Sequence, residues 1–286
     1  MPNYRRSNKK NRPIEADFPD SDRYESRLRC LELTGRGGTA TAETLSSLIK
    51  GFGSVAPDDA WAPRGKNQVE EPRLDETTGL LKDPDLKNIL REWWVSPNSG
   101  SRTPTWDIAS VCTVDARPGI LLIEAKAHLG ELNSERISTR EKRNIKHIHA
   151  ALAEATDGWN NILEDYAEQR GFKLSHKVKL TTNTHYPVCM QFALAWKLAS
   201  LGVPTILVYL GFLNALEPDE KDTRISFPNQ ALWSQCVFEK TSKPLPEEIW
   251  DETFIVGSTP LTILRRSIEV DLPAAPTTTH RHRHQL

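Results

Sequence analysis

Residues 203–210 (VPTILVYL) constrain the fold more than any other segment of the chain. They are continuously apolar and rich in β-branched side chains, so they read as a strand covered on both faces. Residues 187–201 (PVCMQFALAWKLASL) stand directly before them and read as a helix. Pro187 opens that helix and Gly202 follows its end, the usual placing of both residues. A helix running at once into a doubly covered strand is a layered α/β unit.

Two more strands are expected. Residues 106–114 (WDIASVCTV) and 120–127 (ILLIEAKA) flank the turn-forming stretch 115–119 (DARPG). Together they predict a β-hairpin with a five-residue connection. Helices are expected over 41–50, stopped by Gly51 and Gly53, and over 84–94, where Leu86, Ile89, Leu90 and Trp93 recur at helical spacing. Residues 135–149 predict a basic helix, 151–170 an amphipathic one ended by Gly171, and 229–240 another. Phe254 to Val256 and Leu261 to Val270 predict shorter elements. The class is α/β. The polar ends, 1–22 and 273–286, read as disordered tails around one domain over 23–272 with its core at about 84–213.

Formal charge is near balance, with 37 Lys and Arg against 38 Asp and Glu. That excludes a uniformly basic coat for nucleic acid. The charge is segregated, however. Arg5, Arg6, Lys9, Lys10 and Arg12 form a basic start, and residues 135–149 hold five bases against two acids. The longest apolar stretch, 203–213, is too short to cross a membrane as a helix. The basic N-terminus lacks the apolar segment of a secretory signal. Cys30, Cys112, Cys189 and Cys236 include no Cys-x-x-Cys pair, which argues against a cysteine-rich zinc site. A cytoplasmic protein without membrane association is expected.

The chemistry concentrates on the hairpin. Strand alternation puts Glu124, Lys126 and His128 on one face and Ile123, Ala125 and Ala127 on the other. A hairpin can return Asp107, at the start of the first strand, beside them. Asp and Glu are hard oxygen donors suited to Mg²⁺ or Mn²⁺, with the Ala125 carbonyl as a third ligand. Such an ion polarises a phosphoryl oxygen, and a lysine alongside can orient or deprotonate a water. The acid-x-Lys spacing recurs at Asp85/Lys87 and Asp219/Lys221, but only Glu124/Lys126 follows an apolar strand. A cross-strand surface ion pair is the other explanation of the trio.

This constellation resembles the PD-(D/E)xK nuclease superfamily. The resemblance covers roughly residues 84–213: Asp107 on one strand, Glu124-Ala125-Lys126 on the next, then a helix and a further strand. It departs from the pattern in two places. Thr105-Trp106 separate Pro104 from Asp107, and residues 130–185 form a long insertion. The resemblance implies a restriction-endonuclease-like fold, a central mixed sheet flanked by helices, with N- and C-terminal extensions. It implies a magnesium-dependent nuclease acting on nucleic acid, DNA by family habit, with Asp107, Glu124 and Lys126 catalytic. It also implies a glutamate upstream of the first strand, for which Glu71 and Glu92 are candidates, and a polar residue such as Gln191 or Tyr186 facing the site. Arg136, Arg140, Arg143 and Lys146 would form one helical stripe, either a phosphate track or a solvated face. The alternative function is a catalytically inactive module of the same fold that binds nucleic acid or a protein partner.

Overall fold

The structure is a computed structural model that describes residues 25–76, 79–97, 101–132, 141–183, 185–215 and 225–272. Its centre is a six-stranded mixed sheet. The strands are β1 (Trp61–Ala62), β2 (Ile108–Val114), β3 (Arg117–Lys126), β4 (Thr205–Leu213), β5 (Glu252–Val256) and β6 (Thr259–Glu269), in the spatial order β1-β2-β3-β4-β6-β5. β2 and β3 pair antiparallel, β3 and β4 parallel, β4 and β6 parallel, and β6 and β5 antiparallel. The helices are α1 (Ser26–Thr34), α2 (Gly38–Leu48), α3 (Pro84–Trp94), α4 (Lys142–Arg170), α5 (Tyr186–Ser200) and α6 (Gln230–Thr241).

Each face of the sheet has its own apolar layer. On one face Leu122, Leu207 and Ile263 pack with Trp159, Phe192 and Trp233 from α4, α5 and α6. On the other, Leu121, Ile123, Val208 and Leu264 pack with Leu33 of α1 and Leu45 of α2. This two-sided cover explains the uninterrupted apolar run of β4. Full burial of each such side chain contributes about 1.5–3 kcal/mol.

Local signals set the helix ends. The Asp83 side chain accepts a hydrogen bond from the Asp85 amide at 2.8 Å, and Pro84 opens α3. Asn229 does the same for the Leu232 amide at 2.9 Å before α6. Gly171 ends α4 with φ 71°, in the left-handed region that glycine enters without a Cβ clash.

Four expectations need correction. The hairpin turn is two residues, Asp115 and Ala116, both with positive φ. That conformation matches the twist of the strands it joins. Arg117, Pro118 and Gly119 belong to β3, and Gly119 fits there because an added Cβ would lie 2.7 Å from the Pro204 carbonyl oxygen. The core does not end near residue 213, because β6 is hydrogen-bonded to β4 along its length. α4 is one continuous helix of 29 residues that joins the basic segment to the amphipathic one. α1, absent from the expectations, packs at the sheet's second face. The tails at 1–22 and 273–286 lie outside the described residues. No described helix is long and apolar enough to cross a membrane.

α4 and α5 meet at Gly158, where an added Cβ would lie 2.2 Å from the Trp196 ring. At an open helical position Gly→Ala gains about 1 kcal/mol. Here Gly158→Ala is expected to cost about 1–3 kcal/mol, since the indole must leave its place. Urea unfolding checks this, and a raised midpoint would contradict the packing.

Candidate active site

The register of the hairpin brings the three site residues together. Ile108 and Ile123 form the last cross-strand pair, and Asp107 and Glu124 are the next residues outward on the two strands. Asp107 Oδ2 accepts a hydrogen bond from the Ala125 amide at 2.7 Å. Lys126 Nζ donates to Glu124 Oε1, and the two side chains are only 16% and 13% exposed. The pair is therefore shielded, unlike a surface ion pair.

Burial controls the electrostatics. Loss of solvent is the largest influence on the Asp107 carboxyl, and the neighbouring Glu124 charge is the next. Together they push it up to about 8, against the opposing pull of Lys126 and the Ala125 amide. Burial by itself favours the neutral amine of Lys126, but Glu124 and Asp107 outweigh it and hold the ammonium above its ordinary range. Glu71 adds to the upward shift of Asp107. The Trp106 amide donates to the Pro72 carbonyl at 3.1 Å, and Arg73 bridges Thr105, so the strip bearing Glu71 runs beside the entry to β2. Glu92 is exposed on α3. Of the two upstream candidates, Glu71 is the one that the fold brings within electrostatic reach.

The donor set suits a hard divalent cation. Asp107 Oδ1 and Glu124 Oε2 have no hydrogen-bond partner among the described residues. In an extended strand the N–H and C=O of one residue leave on the same side. The Ala125 carbonyl is thus directed, like its amide, to the edge where β2 has ended. Two carboxyl groups and a backbone carbonyl are thus the oxygen donors at this end of the hairpin, the ligand type that Mg²⁺ or Mn²⁺ takes.

Glu124 and Lys126 open into a cleft of about 220 Å³. Tyr209 of β4 lies at its floor. His185 and Gln191 come from the start of α5, Lys240 from the end of α6, and Glu131 from a 3₁₀ turn at Leu129–Leu132. Asp107 does not line this cleft. Gln191 is buried, and its Oε1 accepts from the Tyr209 hydroxyl, so it supports the floor. Tyr186 stands one turn earlier and is half-buried.

Sequence reasoning missed a second group at the end of β3. Glu25, His128 and Glu131 place donor atoms within 4.8 Å of one another. Glu131 Oε1 accepts from the amide and hydroxyl of Ser26, both at 2.9 Å, and its other oxygen accepts from the Ala127 amide. His128 Nδ1 accepts from the Gly130 amide at 3.1 Å, so in the neutral ring the proton sits on Nε2, which faces Glu25 Oε2 at 3.3 Å. No ring lone pair remains for an ion. The group is a brace between the start of α1 and the end of β3. No signal in the sequence joins residues a hundred positions apart.

The basic stripe is only partly visible. Arg136 and Arg140 lie outside the described residues. Arg143 and Lys146 are exposed on the first turns of α4 and do not line the cleft. Lys197 is tied to Glu154 at 2.8 Å and lies over the Trp93 ring at 5.0 Å. Trp94 and Trp106 are core residues. All four cysteines are buried and unpaired. No protein-family model matches this chain, nor does any curated protein or solved structure.

Proposed function

We propose that this chain is a metal-dependent nuclease with a restriction-endonuclease-like fold, hydrolysing phosphodiester bonds in nucleic acid, DNA first among them. One observation carries the reading: two carboxylates and an ammonium share a shielded site on adjacent strands, with Asp107 held to the Ala125 amide and pushed up to about 8. A buried carboxyl held so far above its ordinary value beside a second acid is the pattern of a functional site. The chain order supports it too, since α5 and the parallel strand β4 follow Glu124-Ala125-Lys126.

Asp107, Glu124 and the Ala125 carbonyl would hold Mg²⁺ or Mn²⁺. When bound, the ion supplies positive charge to a phosphoryl oxygen and makes a neighbouring water more acidic. Lys126 is charged at neutral pH, so it is no base. Its ammonium, fixed by Glu124, orients the attacking water and offsets charge growing on the phosphoryl oxygens. Asp107 would release its proton to solvent on becoming a ligand. Gln191 and Tyr209 keep the floor of the cleft rigid behind Glu124.

A non-cleaving module of the same fold is the second reading. It draws on the same pairing, since Lys126 already neutralises Glu124 and a protonated Asp107 carries no charge. Purified protein with supercoiled and single-stranded DNA separates the two. Cleavage is expected with Mg²⁺, and none with EDTA or in Glu124→Gln. Absence of both cleavage and divalent-ion binding in calorimetry overturns the nuclease.

A further inference from the structure

The register of the sheet sets Tyr209 of β4 directly beside Glu124 of β3, and both residues line the cleft. Trp250 meets the Tyr209 ring edge-on with centroids 5.2 Å apart, and Phe192 leans on it at 6.1 Å. The tyrosine is 1% exposed, so its ring has no room to turn and its hydroxyl has a fixed place. Burial and then the Glu124 charge push that hydroxyl well above its ordinary range, so it keeps its proton and donates. The acceptor is Gln191 Oε1 on α5.

A carboxamide has an acceptor end and a donor end. Left to rotate, it can present either. Tyr209 takes the oxygen of Gln191, which turns the N–H₂ group the other way. Gln191 is only 2% exposed, yet its Nε2 has no partner among the described residues and is not sealed from solvent. The opening it reaches is the cleft, whose wall Gln191 forms together with Glu124 and Lys126. A nearly buried donor without a partner costs free energy that an incoming acceptor returns. A phosphoryl oxygen only accepts, so it matches the donor end and is repelled by the other.

We propose that Tyr209 is a positioning residue that locks the Gln191 amide with its donor end in the cleft, where Nε2 holds a phosphoryl oxygen of the substrate strand. The resemblance implies only a polar residue here, whereas the pairing with β4 fixes which end of it meets the ligand. The inference rests on the nuclease reading for the identity of the strand, and on the Tyr209–Gln191 pair for the donor. The contact is neutral, so it adds affinity without displacing counterions.

The test is anisotropy of a short fluorescein-labelled DNA strand, single or duplex, with the full chain in EDTA and in Ca²⁺, across a salt series. Gln191→Met keeps the side-chain shape and removes the donor. It is expected to weaken binding about tenfold and to leave the salt slope unchanged. Tyr209→Phe is expected to lose about threefold to tenfold, because the amide is then free to present either end. The double variant should bind like Gln191→Met alone, since Tyr209 acts only through that amide. A role in packing alone does not produce this coupling. The double variant removes both partners of the buried bond at once and so preserves the fold best. If a single variant fails to fold, the loss in the double at unchanged slope is the supporting result. Gln235→Met, at an exposed glutamine of α6 outside the cleft, is the control and should change nothing. Wild-type affinity in the double variant overturns the inference. So do single losses that simply add, an equal loss in Gln235→Met, or failure of the wild type to bind in both conditions. Cleavage is read separately with Mg²⁺. A wild type that shows the coupling but never cuts sinks the nuclease and keeps the lock. A wild type that cuts, with binding by the double variant undiminished, does the reverse.

Discussion

Lys126→Ala is expected to lower Mg²⁺-dependent cleavage by about 10²–10⁴-fold while leaving metal affinity equal or higher. The two effects have opposite signs for one reason. Lys126 is a positive charge pinned to Glu124 and within reach of Asp107. Removing it leaves both carboxylates more attractive to a cation. The same removal deprives the phosphoryl oxygens and the attacking water of the ammonium that Glu124 holds. Calorimetry with Mn²⁺ and single-turnover cleavage read the two separately. The fold should survive, because an alanine fits the strand. A purified Lys126→Ala protein that cleaves at the wild-type rate would falsify the assigned role.

The second large effect concerns pH and Asp107. In the unfolded chain an aspartate loses its proton near pH 4. In the folded, metal-free chain burial and then Glu124 hold that proton up to about 8. Between these values the folded state binds one more proton than the unfolded state, so stability falls as pH rises through this window. The contribution is whole below pH 4 and gone above pH 8. Asp107→Asn has no proton to lose, and its amide oxygen can still accept from Ala125. In EDTA the variant should therefore melt higher than the wild type at pH 8, with the gap closing toward pH 5. Saturating Mg²⁺ should raise the wild-type Tm at pH 8 and leave Asp107→Asn nearly unmoved. Ion binding near pH 7 should also release about one proton, measurable from heats in two buffers. Equal pH profiles for the two proteins would remove Asp107 from the site.

The sheet was legible where one physical cause dominated. β4 is buried on both faces, and its composition says so without help. α3 is legible in the helical spacing of Leu86, Ile89, Leu90 and Trp93, and the structure adds the Asp83 and Asn229 caps that start α3 and α6. The element expected over Leu261 to Val270 is β6, whose strand character is masked because Arg265 and Arg266 interrupt its apolar run. They are satisfied by Asp251 and Glu247, which a reading of that strand alone does not include. α1 hides for the opposite reason. Leu28, Cys30, Leu31, Leu33 and even Arg29 are all buried, so no single stripe of helical period stands out. Pro118-Gly119 mimic a turn, and only the pairing with β2 shows that they are strand. At the site, Glu124 and Lys126 follow from alternation and Asp107 from the hairpin. Lys240, His185 and Glu25 do not, because they arrive from elements whose packing no local pattern encodes.

The strand order also bears on how the chain reaches this state. β2–β3 and β5–β6 are hairpins whose partners are near in sequence. β4 joins them through parallel ladders on both sides, so all its sheet bonds span distant residues. Such pairings form slowly, after the local ones, because the connecting loops must close first. Until then one edge of β3 stands open. A long, apolar, open edge is a template for wrong pairing with another chain. Glu124 and Lys126 are the charged residues near the end of that edge. The residues proposed to do the chemistry thus also act as gatekeepers during assembly, and their replacement by apolar side chains bears on aggregation as well as on catalysis.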